Sequence, residues 1–211
     1  MSDSKDIRRI GVVILAAGGS SRLGQPKQLI KFQNKSLIQN IIDQSQAFTF
    51  ASYVLVMGAH AAKIQKSIEP GNFNVIINEN WAEGIASSIR KGVKYSLEID
   101  PELEHILFLL SDQPFVTSEL IHELVKTHRQ QEKEITGCKY QDTVGVPAIF
   151  TKRLFQELSM LRGDRGARVL IKKYPDTLAV VPFDLGSIDV DIPEDYNKLI
   201  NFSEKAAKKF K

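Results

Sequence analysis

Ile10-Gly-Val-Val-Ile-Leu-Ala16, Ala17-Gly-Gly-Ser-Ser-Arg-Leu-Gly24 and Gln25-Pro-Lys27 follow one another near the start of the chain. The first stretch carries no polar side chain. A strand that lacks polar alternation is one covered on both faces, as in a parallel sheet flanked by helices. The second stretch places Gly18, Gly19 and Gly24 in a loop, where the absence of Cβ atoms lets backbone N–H groups approach an anion. Two cations, Arg22 and Lys27, stand at its far end. These are the parts a triphosphate needs.

Two familiar labels fail on the letters. A Walker A loop needs Lys and then Ser or Thr directly after its last glycine, whereas Gly24 is followed by Gln25 and Pro26. A dinucleotide fingerprint needs G-x-G-x-x-G at the strand-to-helix turn, and Gly18-Gly19-Ser20-Ser21-Arg22 does not supply that spacing. A plain surface turn would account for the glycines, but not for two cations delivered beside them by a buried-type strand.

Outward from this loop the chain alternates. Leu37, Ile38, Ile41, Ile42, Ser45 and Phe48 recur at helical spacing with Ser36 at the N-cap, and Tyr53 to Met57 reads as a strand. A helix through Ile64 and Ile68 is expected to end at Pro70-Gly71. Phe73 to Ile77 is a third strand, Ile85, Ile89, Val93 and Leu97 mark a third helix, and Ile106 to Leu110 is another uniformly apolar strand. The second half is less regular. A helix from Ser118 to about Gln131 precedes strands near 135–140 and 144–150, a short helix near Leu154, a helix through Val169 and Ile171, and a strand at 177–181. A short strand at 188–190 and a last helix from Pro193 close the chain. This order predicts an α/β fold, a single-domain, doubly wound, mostly parallel sheet over residues 1–211, with 1–8 and 203–211 as flexible or frayed ends.

In such a sheet ligands gather at the carboxyl ends of the strands. Three junctions should therefore line one crevice: the loop after Ala16, the segment Asn78 to Ser88, and Ser111-Asp112-Gln113-Pro114. Asp112 directly follows a buried-type strand, where a carboxylate needs a cationic partner. Mg²⁺ suits it, because Mg²⁺ is held by one or two carboxylates, water and the substrate's phosphates. Asp191 is the best second carboxylate and Asp189 the next, although Pro114 and Pro193 also fit simple turns. Asn78, Trp81, Gly84, Ser87 and Ser88 suit a loop covering a nucleoside, with a core plug as the other reading of Trp81. Arg165 and Arg168 could clamp a phosphate on a second substrate. His60, His105, His122 and His128 show no metal-ligand spacing with Cys138.

Composition narrows the classes. With 43% hydrophobic and 25% charged residues the chain has the balance of an ordinary globule, not of a disordered or fibrous one. The net charge is +3, and Lys205, Lys208, Lys209 and Lys211 exceed that surplus, so nucleic-acid binding is not implied. One cysteine, a polar start and no apolar run near the roughly 20 residues that span a bilayer predict a cytoplasmic protein without a membrane anchor.

Together, Leu15-Ala-Ala-Gly-Gly-Ser-Ser-Arg-Leu-Gly24 with Lys27, Ser111-Asp-Gln-Pro114, Gly145-Val-Pro147, Gly163-Asp-Arg-Gly-Ala-Arg168 and Asp189-Val-Asp-Ile-Pro-Glu-Asp195 resemble the molybdenum cofactor cytidylyltransferase branch of the nucleotidyltransferases. The resemblance runs nearly end to end and departs from the pattern at Leu23, Glu79 and Val146. It implies the Rossmann-like nucleotidyltransferase fold and transfer of CMP from CTP to a phosphate-bearing acceptor of the molybdopterin type, with release of pyrophosphate and a molybdoenzyme as possible client. It implies nucleotide binding by Leu15, Ala16, Ala17, Gly18, Gly19, Ser20, Arg22, Lys27, Asn78, Gly84 and Ser88. Lys27, Arg22 and Asp112 would be catalytic, with Asp112 and Asp191 holding Mg²⁺. Gln113, Pro114, Gly145, Pro147, Arg165 and Arg168 fall to the acceptor. CTP is implied by Ala17, which stands where guanylyl-transferring relatives have glycine, and by Gln113. The alternatives are a sugar-phosphate or other small-molecule nucleotidyltransferase and a non-catalytic pterin carrier.

Overall fold

The computed structural model describes residues 9–19 and 25–187. The expected strand at 188–190, the helix from Pro193, the chain ends, and Ser20, Arg22, Asp189 and Asp191 lie outside the described residues. At the centre stands β1 (Ile10–Ala16), buried at every position. Its even-numbered residues Val12 and Ile14 pack on one face and its odd-numbered residues Val13 and Leu15 on the other. Both faces are apolar because both are covered, which is why the sequence showed no alternation.

One face is covered by α1 (Leu37–Ser45), α2 (Ala61–Gln65) and α4 (Ser118–Gln131), through Ile38, Ile41, Ile64, Ile121 and Leu124. The other is covered by α3 (Ile85–Ile99), α5 (Phe155–Met160) and α6 (Arg168–Lys173), through Ile89, Val93, Leu158 and Leu170. Ser36 caps α1 as expected, its Oγ accepting from Gln39 N at 3.3 Å. The helix expected to reach Ile68 stops after Gln65. Ser67 N donates to Ile64 O at 2.9 Å, an i→i+3 bond that tightens and ends the turn, and Ile68 packs on the core from outside the helix.

Beside β1 lie β4 (Ser52–Met57), with β5 (Asn74–Ile77) beyond it, and on the other side β6 (His105–Leu110), all parallel to it. β8 (Thr143–Thr151) runs against β6, β7 (Ile135–Tyr140) against β8, and β9 (Leu178–Pro182) parallel to β7. The sheet order is β5-β4-β1-β6-β8-β7-β9, so among the described residues β8 alone of the seven strands is reversed. The chain winds from β1 outward to β4 and β5, then returns to β6, placing a topological switch point between β1 and β6.

One hairpin was not expected. β2 (Lys31–Phe32) and β3 (Lys35–Ser36) pair antiparallel across Gln33 and Asn34, whose φ angles are 48° and 68°. Two central residues with positive φ make the turn that suits a two-residue hairpin, but Gln33 is not a residue that advertises it.

At the amino end of β6, away from the switch point, His128 is buried with Nδ1 2.8 Å from Thr136 Oγ1 and Nε2 3.0 Å from His105 Nδ1. Burial pushes its pKa down to about 3, with the charges of His105 and Arg129 acting in the same direction. Because the folded value lies below the unfolded value of about 6.5, this contribution to stability is intact above that pH and is lost as pH falls toward 3. Between pH 7.5 and pH 5.0 the effect on unfolding free energy is about 2 kcal/mol. Urea unfolding at the two pH values should show a drop of that size that is absent in His128→Gln; identical pH dependence in both proteins would sink the assignment.

Candidate active site

A crevice of about 410 Å³ opens at the carboxyl ends of β1 and β6, a size in the range of small-molecule sites. The three junctions expected to converge do so. Residues 15–19 form one wall, Lys27 with Ser111 and Asp112 the next, and Trp81, Gly84 and Ser88 the third.

The first wall is held from behind by its carbonyls. Ala17 O accepts from Ala59 N at 3.2 Å. Gln28 Nε2 donates to Ala16 O and Gly18 O, each at 3.2 Å, and His60 Nε2 lies 3.0 Å from Gly19 O. In a trans peptide the N–H points opposite to the carbonyl, so the amides of Ala17, Gly18 and Gly19 face away from these anchors. At Gly18 an added Cβ would meet no described atom within 4 Å. Packing within the described residues thus makes no demand for glycine there, and Gly18 lines the crevice.

Lys27 opens a single 3₁₀ turn, Lys27–Leu29, after Pro26. The neighbouring Gln28 is only 1% exposed, so the turn is fastened to the core and Lys27 is presented to the crevice. Its Nζ pairs with Asp112 Oδ2, with the side chains 19% and 14% exposed. A pair so far withdrawn from water interacts more strongly than one on the surface. The carboxylate still has lone pairs to offer. It is a hard oxygen donor of the kind Mg²⁺ accepts alongside phosphates and water. Among the described residues no three His, Cys, Asp or Glu side chains gather as a metal site. Asp112 fits as one carboxylate donor to such an ion.

The third wall begins at Trp81–Glu83, a 3₁₀ turn leading through Gly84 into α3. Asn78 lies behind this wall and not in it. It is 2% exposed, and its Nδ2 donates to Ser87 Oγ at 2.7 Å and Ser88 Oγ at 3.0 Å. It orients the serines, of which Ser88 reaches the crevice. Trp81 is 39% exposed and leans on Gly19, so it is no core plug. Gly84 has φ 114°, and a Cβ there would stand 2.4 Å from Asp164 Oδ1 and 2.5 Å from Gly163 O. Only glycine meets both demands.

None of the residues expected at the acceptor lines this crevice. Gln113 is buried, its Nε2 donating to Val146 O at 3.1 Å and Gly186 O at 3.4 Å. The β7–β8 ladder pairs Gly137 with Ala148 but Cys138 with Gly145, so Val146 and Pro147 stand out of register as a bulge. A proline, lacking N–H, is suited to such a bulge, and the bulge turns Val146 O toward Gln113. Gln113, next to Asp112 along the chain, is thereby tied to the segment that carries Gly145 and Pro147. Pro114 O instead accepts from Asn40 Nδ2 of α1 at 3.3 Å. Arg168 Nη2 donates to Thr143 Oγ1 at 2.7 Å, and Arg165 is exposed.

Three contributors were not read from the sequence as they stand: Gln28, His60 and Asp164. His60 had a legible signal, since it follows Gly58 just beyond the carboxyl end of β4. Gln28 had none, because nothing in the letters distinguishes an amide that staples a loop from one in solvent.

A family model described as the MobA-like NTP transferase domain matches residues 12–178. The chain is 26% identical over 206 residues to a protein named nicotine blue oxidoreductase from Paenarthrobacter nicotinovorans, covering 92% of this chain and 98% of that protein. The crystal structure of Rv0371c from Mycobacterium tuberculosis H37Rv superposes with TM-score 0.79 at 29% identity, over 92% of this chain and 98% of that one. A structure of the same mycobacterial protein in complex with manganese gives TM-score 0.76 at 27% identity, with 92% and 98% covered. Molybdopterin-guanine dinucleotide biosynthesis protein A from Archaeoglobus fulgidus shares the fold, with TM-score 0.68 at 19% identity over 92% of this chain and 99% of that one.

Proposed function

Since the chain belongs to the MobA-like NTP transferase domain family, we propose that it is a Mg²⁺-dependent nucleotidyltransferase that moves CMP from CTP to a phosphate-bearing acceptor of the molybdopterin type. The observation that carries this reading is the meeting of Lys27 and Asp112 beside the amides of the glycine loop. In the proposed step an acceptor phosphate oxygen attacks the α-phosphorus of CTP. The new P–O bond forms as the bond to the β-phosphate oxygen breaks, and pyrophosphate leaves. The amides of residues 17–19 hold the phosphates, and Lys27 neutralises charge gathering on the departing group. Asp112, with Asp191, would hold Mg²⁺, which when bound offsets further phosphate charge. The manganese complex of the mycobacterial relative supports a divalent ion. Ala17 and Gln113 support CTP, and Gln113 with Gly145, Pro147, Arg165 and Arg168 is assigned to the acceptor side. A cytoplasmic enzyme passing its product to a molybdoenzyme fits this reading; among the described residues no helix is long and apolar enough to cross a membrane.

The relative named as an oxidoreductase motivates a second reading, hydride transfer from a nicotinamide cofactor. Against it stand the absent dinucleotide fingerprint and a cation–carboxylate pair that hydride transfer does not call for. A screen of the four NTPs against molybdopterin and sugar phosphates, with NADH and NADPH oxidation followed in parallel, separates them. We expect pyrophosphate release from CTP with molybdopterin, abolished by EDTA. Consumption of NAD(P)H without pyrophosphate release from any NTP overturns the proposal.

A further inference from the structure

The segment 161–164 is strapped to the start of α3. Arg90 donates to Glu83 through two nitrogens, at 2.7 and 2.6 Å, and to Leu161 O at 2.7 Å. Ala86 N donates to Gly163 O at 3.1 Å, and Gly163 N to Glu83 Oε1 at 3.4 Å. The strap sets Asp164 at the crevice, its carboxylate directly above Gly84. Yet that carboxylate makes no hydrogen bond or ion pair with any described residue. The helix N-terminus beneath it is served by other groups, Ala86 N by Gly163 O and Ser87 N by Gly84 O. Asp164 is exposed at the crevice, so its carboxylate is open to a ligand there.

We propose that Asp164 is a specificity residue for the nucleotide, accepting hydrogen bonds from the N–H or O–H donors of the nucleoside half. The inference rests on the nucleotidyltransferase reading. A carboxylate is acceptor-only and, unlike Asp112 beside Lys27, Asp164 pairs with no described cation, so it repels phosphate and is assigned away from the end of the crevice that takes the triphosphate. Lys27 and the amides of residues 17–19 serve that end. What is left of a nucleotide is its uncharged part, whose donors are the ribose hydroxyls and, in cytosine, the exocyclic amine. Both present the same chemistry to Asp164, and the experiment tells them apart.

The test measures binding of CTP, 2′-deoxy-CTP and UTP by calorimetry to the full chain and to its Asp164→Ala and Asp164→Asn variants. A hydrogen bond to a charged acceptor corresponds to roughly 10- to 100-fold in affinity, so Asp164→Ala should weaken CTP by that factor. If the ribose is the donor, the wild type prefers CTP over 2′-deoxy-CTP and Asp164→Ala loses that preference. If the cytosine amine is the donor, the preference for CTP over UTP collapses instead, and Asp164→Asn, which can donate to the uracil oxygen, gains UTP. A general distortion of the fold would weaken all three nucleotides alike and leave both ratios unchanged, which overturns the proposal, as does wild-type CTP affinity in Asp164→Ala. Should the wild type bind no nucleotide at all, the enzymatic reading falls with it; should it bind CTP while the ratios stay put, only the role of Asp164 falls.

Discussion

Lys27→Ala slows pyrophosphate release at saturating nucleotide about a hundredfold or more, because removing one well-placed charge donor raises the barrier by about 2.7 to 4 kcal/mol. The expectation is firm because the fold has removed the usual ambiguity of a lysine. Gln28, the next residue, is pinned by two hydrogen bonds to the carbonyls of the glycine loop. The 3₁₀ turn that begins at Lys27 is held by backbone bonds, Leu29 N to Pro26 O at 3.0 Å and Ile30 N to Lys27 O at 3.1 Å. Alanine keeps all of these, so the variant should fold and lose chemistry. Lys27→Arg restores the charge on a longer, planar head and should recover part of the rate. Turnover at the wild-type level in Lys27→Ala would remove the residue from the mechanism.

Asp112→Asn should lower turnover about as far and also raise the Mg²⁺ concentration needed for half-maximal activity by at least tenfold, since even groups that only support metal ligands change metal affinity by about 10- to 100-fold. The amide keeps the size of the carboxylate while removing its charge. It removes the ion pair between Asp112 and Lys27, and some loss of stability is expected from that alone. The metal titration separates the two roles of Asp112. If it serves only to position Lys27, activity falls but the Mg²⁺ midpoint stays where it was. A double-mutant cycle with Lys27→Ala then measures how strongly the pair acts as a unit, because residues in contact do not give additive effects.

The character of the sheet and the neighbourhood of the crevice were legible in the letters. Ile10 to Ala16 and Ile106 to Leu110 are apolar throughout because each strand meets helices on both faces, and a buried strand leaves that mark whatever its neighbours are. Once the alternation of strands and helices was read, the rule that ligands collect at strand carboxyl ends brought residues 16–19, 78–88 and 111–114 to one place. Ser36 as a helix cap was equally local, a matter of one hydroxyl and the backbone three residues on.

What tertiary structure alone decided are relations between distant segments. The reversal of β8 depends on which edge of β6 is free, and no residue of 143–151 carries that information. The role of Gln113 follows from a bulge in another strand, since Val146 O reaches it only because the β7–β8 pairing slips between Gly137 and Cys138. Asp164 lies among arginines in the sequence, but its place above Gly84 is set by the Glu83–Arg90 pair, more than seventy residues earlier in the chain. Local chemistry writes strands, caps and glycine loops into short windows of sequence, whereas a contact between windows is chosen by packing the whole chain, and only the folded protein holds that choice.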